Sequence, residues 1–245
     1  MLTTRPTPLP SRTAQIEMQD MSDPHDRATT ARPFSDTVVQ ENLFAVPIWS
    51  ASAPTDSEWL PLLVNDIDHI LDSGLGMDFE ESSGHQTKPE LQDRTEDHWQ
   101  SFFQFVNGTF EAITNTAGQL RWPRHGLRAW GLRIDERSVQ KDLERGAARP
   151  LLTHNHSPAL LTSVFTCELP PSLRGDQLST VFYNPAAHMV CPWQQRTALI
   201  APEVGTLTVF PGWIEHAAPL IVPLLPGERR VIISIDYFPE MDGTT

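Results

Sequence analysis

Three groups of residues in this 245-residue chain have the types and spacing to do chemistry. The first is Thr153-His154-Asn155-His156, with two histidines two positions apart. On an extended backbone side chains alternate between faces, so positions 154 and 156 point the same way. At roughly 3.3 Å rise per residue their Cα atoms stand about 7 Å apart, which lets two imidazoles converge on one metal ion. The second group is Gly205-Thr206-Leu207-Thr208-Val209-Phe210-Pro211-Gly212-Trp213-Ile214-Glu215-His216. A glycine turn leads into an apolar strand, a Pro-Gly turn and a histidine. The third is Glu228-Arg229-Arg230-Val231-Ile232-Ile233-Ser234-Ile235-Asp236, an arginine at the mouth of a strongly apolar strand. By itself the His-x-His pair also reads as two surface histidines at a strand end. Together, His154, His156 and His216 supply three ligands on one face, leaving positions on a metal open for a co-substrate and oxygen. A planar guanidinium can hold both oxygens of a carboxylate at once. Arg230 shares a strand face with Ile232 and Ser234, while Arg229 falls on the opposite one. The bland alternative for Arg230 is a surface ion pair with Glu228.

Those groups must be positioned by a scaffold, and the chain changes texture to provide one. Residues 1–38 scatter Pro6, Pro8, Pro10, Pro24 and Pro33 among polar residues with little apolar periodicity, which predicts a disordered extension. The domain is expected over 39–245. Leu43-Phe44-Ala45-Val46-Pro47-Ile48-Trp49 is an apolar run that Pro47 makes an edge strand or strand end. Thr55 or Asp56 can cap a helix over about 56–73, in which Leu60, Leu63, Val64, Ile67 and Ile70 or Leu71 recur at helical spacing. Asp66, Asp68 and Asp72 fall mostly on its solvated side. Residues 76–94 read as a polar loop and candidate lid. A second helix over about 96–117 carries the stripe Trp99, Phe102, Phe103, Val106, Phe110 and Ile113, and His69 and His98 on these helices read as structural or exposed. From Leu120 onward short β-like runs take over at 127–134, 160–169, 178–183, 197–200, 206–210 and 231–237, a spacing that suggests a sandwich or barrel. The polar segment 135–149 between them is a surface loop or a short helix.

The totals narrow the function. A formal charge of −13 disfavours nucleic acid and anionic membrane surfaces, yet a few local arginines can still reverse the field in a pocket. Hydrophobic residues make up 39 % of the chain, enough for a real core. The two cysteines, Cys167 and Cys191, form no Cys-x-x-Cys motif. With no signal-peptide core and no apolar run of about 18 residues, a cytoplasmic protein is expected. There is no Gly-x-Ser-x-Gly elbow, Walker loop or Gly-x-Gly-x-x-Gly after a strand.

Across most of residues 42–238 the chain resembles the 2-oxoglutarate- and Fe(II)-dependent oxygenases built on a double-stranded β-helix, or jelly roll. The opening strand 43–49, the run His154-Asn155-His156-Ser157-Pro158, the turn Tyr183-Asn184-Pro185, the segment Gly205 to His216 and the strand Arg230 to Asp236 carry the resemblance. It implies an α+β chain, a jelly roll with N-terminal supporting helices. It also implies Fe(II) held by His154, His156 and His216, and 2-oxoglutarate as co-substrate on Arg230, Ser234 and Thr166. The implied reaction uses O₂ and oxidises an unactivated C–H bond of a small metabolite or amino acid, by hydroxylation or a related outcome.

The chain departs from the family pattern in three places. Phe165-Thr166 stands where a Tyr-Tyr pair is usual, Ala186 follows Asn184-Pro185 in place of arginine, and His156 occupies the position where most of the superfamily has a carboxylate ligand. The sequence leaves open whether His156 binds iron or neighbours it. Arg128 and Trp130 on the strand before the 135–149 segment, and His188, Trp193 and Arg196 between the two metal segments, are candidate substrate contacts. The expected partners are a small-molecule substrate and O₂, with a homodimer left open. Two other readings stand beside this one. A cupin-type three-histidine dioxygenase or isomerase would not use 2-oxoglutarate, but no glutamate follows His156 within a few residues and Trp213 replaces an expected glycine. A non-catalytic jelly-roll binding domain is the third.

Overall fold

The computed structural model describes residues 38–43, 46–78, 84–116, 125–144, 153–185, 196–218, 220 and 222–239. They lie within the unit Pro33–Thr245. The expected extension at 1–38 is outside them apart from Val38. In chain order the elements are β1 (Val38–Leu43), β2 (Val46–Ser52), α1 (Trp59–Asp72), β3 (Met77–Asp78), β4 (His85–Gln86), α2 (Asp97–Thr116), β5 (His125–Asp135) and α3 (Glu136–Glu144). Then follow β6 (Leu161–Glu168), β7 (Thr180–Tyr183), β8 (Thr197–Ile200), β9 (Thr206–Pro211), β10 (His216–Ala217) and β11 (Arg229–Pro239). No helix among the described residues is long and apolar enough to cross a membrane.

Two antiparallel sheets result, one ordered β1-β2-β9-β6-β11-β5-β4-β3 and one ordered β10-β7-β8. This is a jelly roll with supporting helices. The period-two pattern of the central strands explains how the large sheet is used. Val231, Ile233, Ile235 and Tyr237 of β11, Leu161, Phe165 and Cys167 of β6, and Leu207 and Val209 of β9 form one face. That face is covered by Leu63, Val64 and Ile67 of α1 and by the aromatic stripe of α2, all buried. Trp59 and Phe102 place their ring centroids 5.6 and 5.0 Å from that of Phe165, tying both helices to β6. The alternate residues face the small sheet. Ile48, Phe182, Phe210 and Ile214 make one apolar cluster there, and Leu132, Ile134, Val139, Leu178 and Ile232 belong to another.

Several expectations change. Neither Thr55 nor Asp56 caps α1, which begins at Trp59 after Glu58 without a side-chain cap bond. The acids of α1 are also more than a solvated face. Asp66 accepts hydrogen bonds from Trp99 Nε1 (2.8 Å), His98 Nε2 (2.9 Å) and Arg94 (3.2 Å). Despite partial burial, these donors hold its carboxyl below the usual range. Asp68 pairs with Arg133 and Arg229, and Asp72 with Arg133, so the polar edge of the helix is bolted to β5 and β11. Within the stretch 76–94, expected as a loop and candidate lid, Met77–Asp78 and His85–Gln86 form β3 and β4, and β4 joins the large sheet by pairing with β5; residues 79–83 lie outside the described residues. Thr87 and Gly131 exchange hydrogen bonds there at 2.9 and 3.0 Å. Of the two options for Pro47 the strand end holds: β2 lies between β1 and β9, and Pro47 is its second residue. Pro47 is tolerated because β9 pairs with it only from Trp49 to Ser52. Of the two options for 135–149, the helix α3 forms over 136–144. Its first turn is held by Asp135 Oδ1, which accepts from the Ser138 N–H and hydroxyl, each at 2.9 Å.

α1 seats directly on Gly131, where a Cβ would stand 2.8 Å from Ile67 Cγ1 and 2.9 Å from its Cδ1. Ile67 is fully buried and β-branched, so it has nowhere to turn. Gly131→Ala is therefore expected to lower stability by about 1–3 kcal/mol, and Ile67→Val in that background to recover part of the loss. Urea unfolding of the single and double variants measures both; an alanine tolerated without loss would contradict this seating.

Candidate metal centre

The two histidine segments meet through their backbones. His154 and His216 exchange N–H···O=C hydrogen bonds of 3.1 and 2.9 Å, an isolated antiparallel bridge. β10 carries His216 and pairs on its other side with β7, where Phe182 stands opposite. His156 is not in a strand. Its N–H donates to the Gly212 carbonyl at 2.7 Å, and the Gly212 N–H donates to the Leu160 carbonyl at 3.2 Å. This contact needs a glycine, since a Cβ at 212 would fall 2.3 Å from the Ala159 carbonyl oxygen. The histidines thus converge through a bridge and a clasp, where strand alternation alone was expected to bring the first two together.

The result is a cluster in which one ligand atom from each of His154, His156 and His216 lies within 4.8 Å of the others. Ring centroids are 5.1 Å apart for His154 and His156, 4.5 Å for His154 and His216, and 5.2 Å for His156 and His216. His216 is buried, and burial with the two neighbouring imidazoles pushes its pKa down to about 3, so the ring is neutral near pH 7. Its Nδ1 lies 3.1 Å from the Ile214 carbonyl; a hydrogen donated there leaves Nε2 as the free lone pair. The Nδ1 of His156 lies 2.8 Å from Asp236 Oδ1, which likewise turns Nε2 towards the cluster. Imidazoles converging in this way suit a divalent first-row metal. In the sequence Asp236 stands as the end of an apolar strand. The signal available was its place on the Arg230–Ser234 face of an otherwise apolar run.

Arg230 is only 1 % exposed, which rules out a surface pair with Glu228. Glu228 instead accepts from the Ser172 hydroxyl and from the Ser172 and Leu225 N–H groups. Arg229 does lie on the opposite face, paired with Asp68 and Glu168. The Arg230 guanidinium has one long bond, Nη1 to the Leu178 carbonyl at 3.3 Å, while its Nε is buried with no partner. No carboxylate among the described residues pairs with it, and desolvation pulls its pKa down to about 10. It faces a pocket between the sheets lined also by Thr166, Thr180, Phe182, Thr208 and Phe210. Phe182 and Phe210 touch both regions, with centroids 5.9 and 4.7 Å from that of His216.

The remaining candidates separate. Thr166 is buried in the Arg230 pocket, while Phe165 beside it points into the helix-side core. Ser234 is buried on the inner face, opposite Trp130 on one side and Val164 on the other. The Trp130 ring stacks on His156 with centroids 5.8 Å apart and planes 18° from parallel. Arg128 is exposed, its guanidinium 5.1 Å from the centre of the Phe238 ring. Arg196 is exposed, and its carbonyl accepts from the Asn184 N–H at 2.9 Å. His188, Trp193 and Cys191 lie outside the described residues. Cys167 is a buried thiol in the helix-side core, away from the histidines.

Compared by sequence, no family model and no curated protein matches the chain. Compared by structure, it superposes on a prolyl hydroxylase from Trichoplax adhaerens in complex with a hypoxia inducible factor peptide. The TM-score is 0.54 and the identity 11 %, covering 79 % of this chain and 84 % of that one. The fold is that of the 2-oxoglutarate- and Fe(II)-dependent oxygenases. SnoN, a non-heme α-ketoglutarate-dependent epimerase from nogalamycin biosynthesis, matches with TM-score 0.52 and 11 % identity over 78 % of each chain. HygX from Streptomyces hygroscopicus, solved with nickel and 2-oxoglutarate bound, matches with TM-score 0.50 and 10 % identity over 79 % of this chain and 83 % of that one. At such identities the likeness carries the fold and leaves the chemistry to the side chains present.

Gly212→Ala is expected to push the 156–160 segment away from His216. Nickel(II) affinity of the metal-free protein should then fall at least tenfold while far-ultraviolet circular dichroism is unchanged, as calorimetric titration would measure. Unaltered affinity would contradict the clasp.

Proposed function

We propose that this chain is an Fe(II)- and 2-oxoglutarate-dependent oxygenase that oxidises an unactivated C–H bond of a small metabolite or amino acid. The observation that carries the reading is Arg230, a fully buried guanidinium without a carboxylate partner among the described residues, facing a pocket lined by Phe182 and Phe210, which lie beside His216 of the three-histidine cluster. Leaving a charge so placed is costly unless an anion arrives to meet it. A dicarboxylate does so, with its distal carboxylate on the guanidinium and its other end towards the histidines. The buried hydroxyls of Thr166 and Ser234 lie on the same inner face and are offered as further contacts.

The residues fit the metal as well. His154, His156 and His216 would hold it through neutral nitrogens on one side, leaving the other side for co-substrate and oxygen. Bound iron would supply the redox chemistry, in which O₂ activation is coupled to decarboxylation of 2-oxoglutarate to succinate and to oxidation of the substrate. Phe182 and Phe210 line the Arg230 pocket and also lie beside His216, with ring centroids 5.9 and 4.7 Å from its own. Trp130, flat against His156, offers a planar wall for a substrate. The similar structures include a peptide-bound hydroxylase and a biosynthetic epimerase. The net charge of −13 favours a small molecule over nucleic acid here.

A cupin-type enzyme would also use three histidines, but it gives the buried Arg230 no task. The test is succinate release from 2-oxoglutarate in the presence of Fe(II), O₂ and a metabolite panel, for wild type and Arg230→Met. The variant is expected to keep its metal affinity, to unfold at a higher temperature because an unpaired buried charge is gone, and to need on the order of 10–100-fold more 2-oxoglutarate. A variant that saturates with 2-oxoglutarate as wild type does would overturn the anchor. Metal binding without succinate release for any substrate would favour the cupin reading.

A further inference from the structure

Three neutral imidazoles bring no charge to a divalent ion. The Asp236 carboxylate lies one hydrogen bond behind them. Its Oδ1 is 2.8 Å from His156 Nδ1 and 2.9 Å from Thr162 Oγ1, which donates to it. The side chains of His156 and Asp236 are 9 % and 12 % exposed, so little water screens the pair. One carboxylate oxygen thus faces both the Thr162 hydroxyl and the ring nitrogen of His156. Asp236 had another partner available. Arg128 stands directly opposite it across the β5–β11 ladder, on the same face. The guanidinium of Arg128 lies over the Phe238 ring instead, and the acid is turned to the histidine.

Resting on the reading that the three histidines hold a divalent metal, we propose that Asp236 is a positioning residue that stands in electrically for a carboxylate ligand. It fixes His156 as an Nε2 donor, and it places one negative charge beside the site without occupying a coordination position. His156 is then a ligand made more basic by the acid behind it, as carboxylate–histidine–metal relays generally are. Thr162 holds the carboxylate in the orientation that serves the ring, and Trp130 stacks near-parallel to that ring at a centroid distance of 5.8 Å.

The plain competing account is that Asp236 only ties β11 to β6 through Thr162. The two accounts separate in metal titrations of the full-length, metal-free protein with cobalt(II) and nickel(II), with no 2-oxoglutarate present. Asp236→Asn keeps an oxygen that can accept from His156 and Thr162 and removes only the charge. Its metal affinity is expected to fall roughly 10–100-fold, with the cobalt(II) ligand-field spectrum retaining its shape because the three nitrogens remain. Asp236→Leu also frees the ring; it should bind more weakly still and change that spectrum. Thr162→Val breaks the inter-strand tie that Asp236→Asn keeps, so a purely structural role would make it the more damaging of the two, whereas here it costs much less affinity. Nitrogen-15 spectra of metal-free wild type, which need no variant to fold, should find the His156 hydrogen on Nδ1. Wild-type affinity in Asp236→Asn, or a hydrogen on Nε2 of His156, overturns the inference while leaving the three-histidine site intact. A wild-type protein that binds neither metal overturns the site itself.

Discussion

The backbone bridge between His154 and His216, with the clasp of His156 on Gly212, is the constraint on which the site depends. It joins two segments far apart in the chain and lies where the large sheet gives way to the small one. The hydrogen bonds are ordinary in strength. Their effect comes from what they prevent: neither segment can drift without leaving buried N–H and C=O groups unpaired. The absence of a side chain at Gly212 lets the two backbones come within contact, so the imidazoles reach one another without help from a longer strand ladder.

The large sheet then divides the work between its faces. One face is packed with Val, Ile, Leu and Phe against α1 and α2, and its charges are spent on the outer ion pairs of Asp68 with Arg133 and Arg229. The other face holds the groups that would be costly in a core, namely Arg230, Ser234, Asp236, Thr162 and Thr166, every one of them buried. A face that buries a cation at one end and an anion at the other is poorly explained by stability alone, since removing such groups from water is expensive. It is well explained by a ligand that brings a carboxylate to Arg230 and a metal to the histidines beside Asp236.

Much of this was legible in the residue order. The α2 stripe from Trp99 to Ile113 and the alternation in β11 are direct readings of periods 3.6 and 2, and the structure buries each of those α2 residues. His154, His156, His216 and Arg230 were legible because their chemistry is unusual in that arrangement. What failed to show was anything set by pairing between distant segments. The stretch 76–94 is polar, so its addition to the sheet edge depends on backbone bonds to β5 that leave no mark on composition. The acids of α1 looked like a solvated face because their partners, Arg133 and Arg229, come from strands much later in the chain. Asp236 was hidden for a similar reason: its meaning lies in the 2.8 Å to His156, across the sheet and outside any strand register.

The central claim is that the histidine cluster and Arg230 form one site for a metal and a dicarboxylate. It is tested most directly by adding Fe(II) and then 2-oxoglutarate to the protein under anaerobic conditions and recording the visible spectrum. A saturable metal-to-ligand charge-transfer band is expected in wild type and should be missing in His216→Ala. No band in wild type, together with iron binding in His216→Ala as tight as in wild type, would contradict the account.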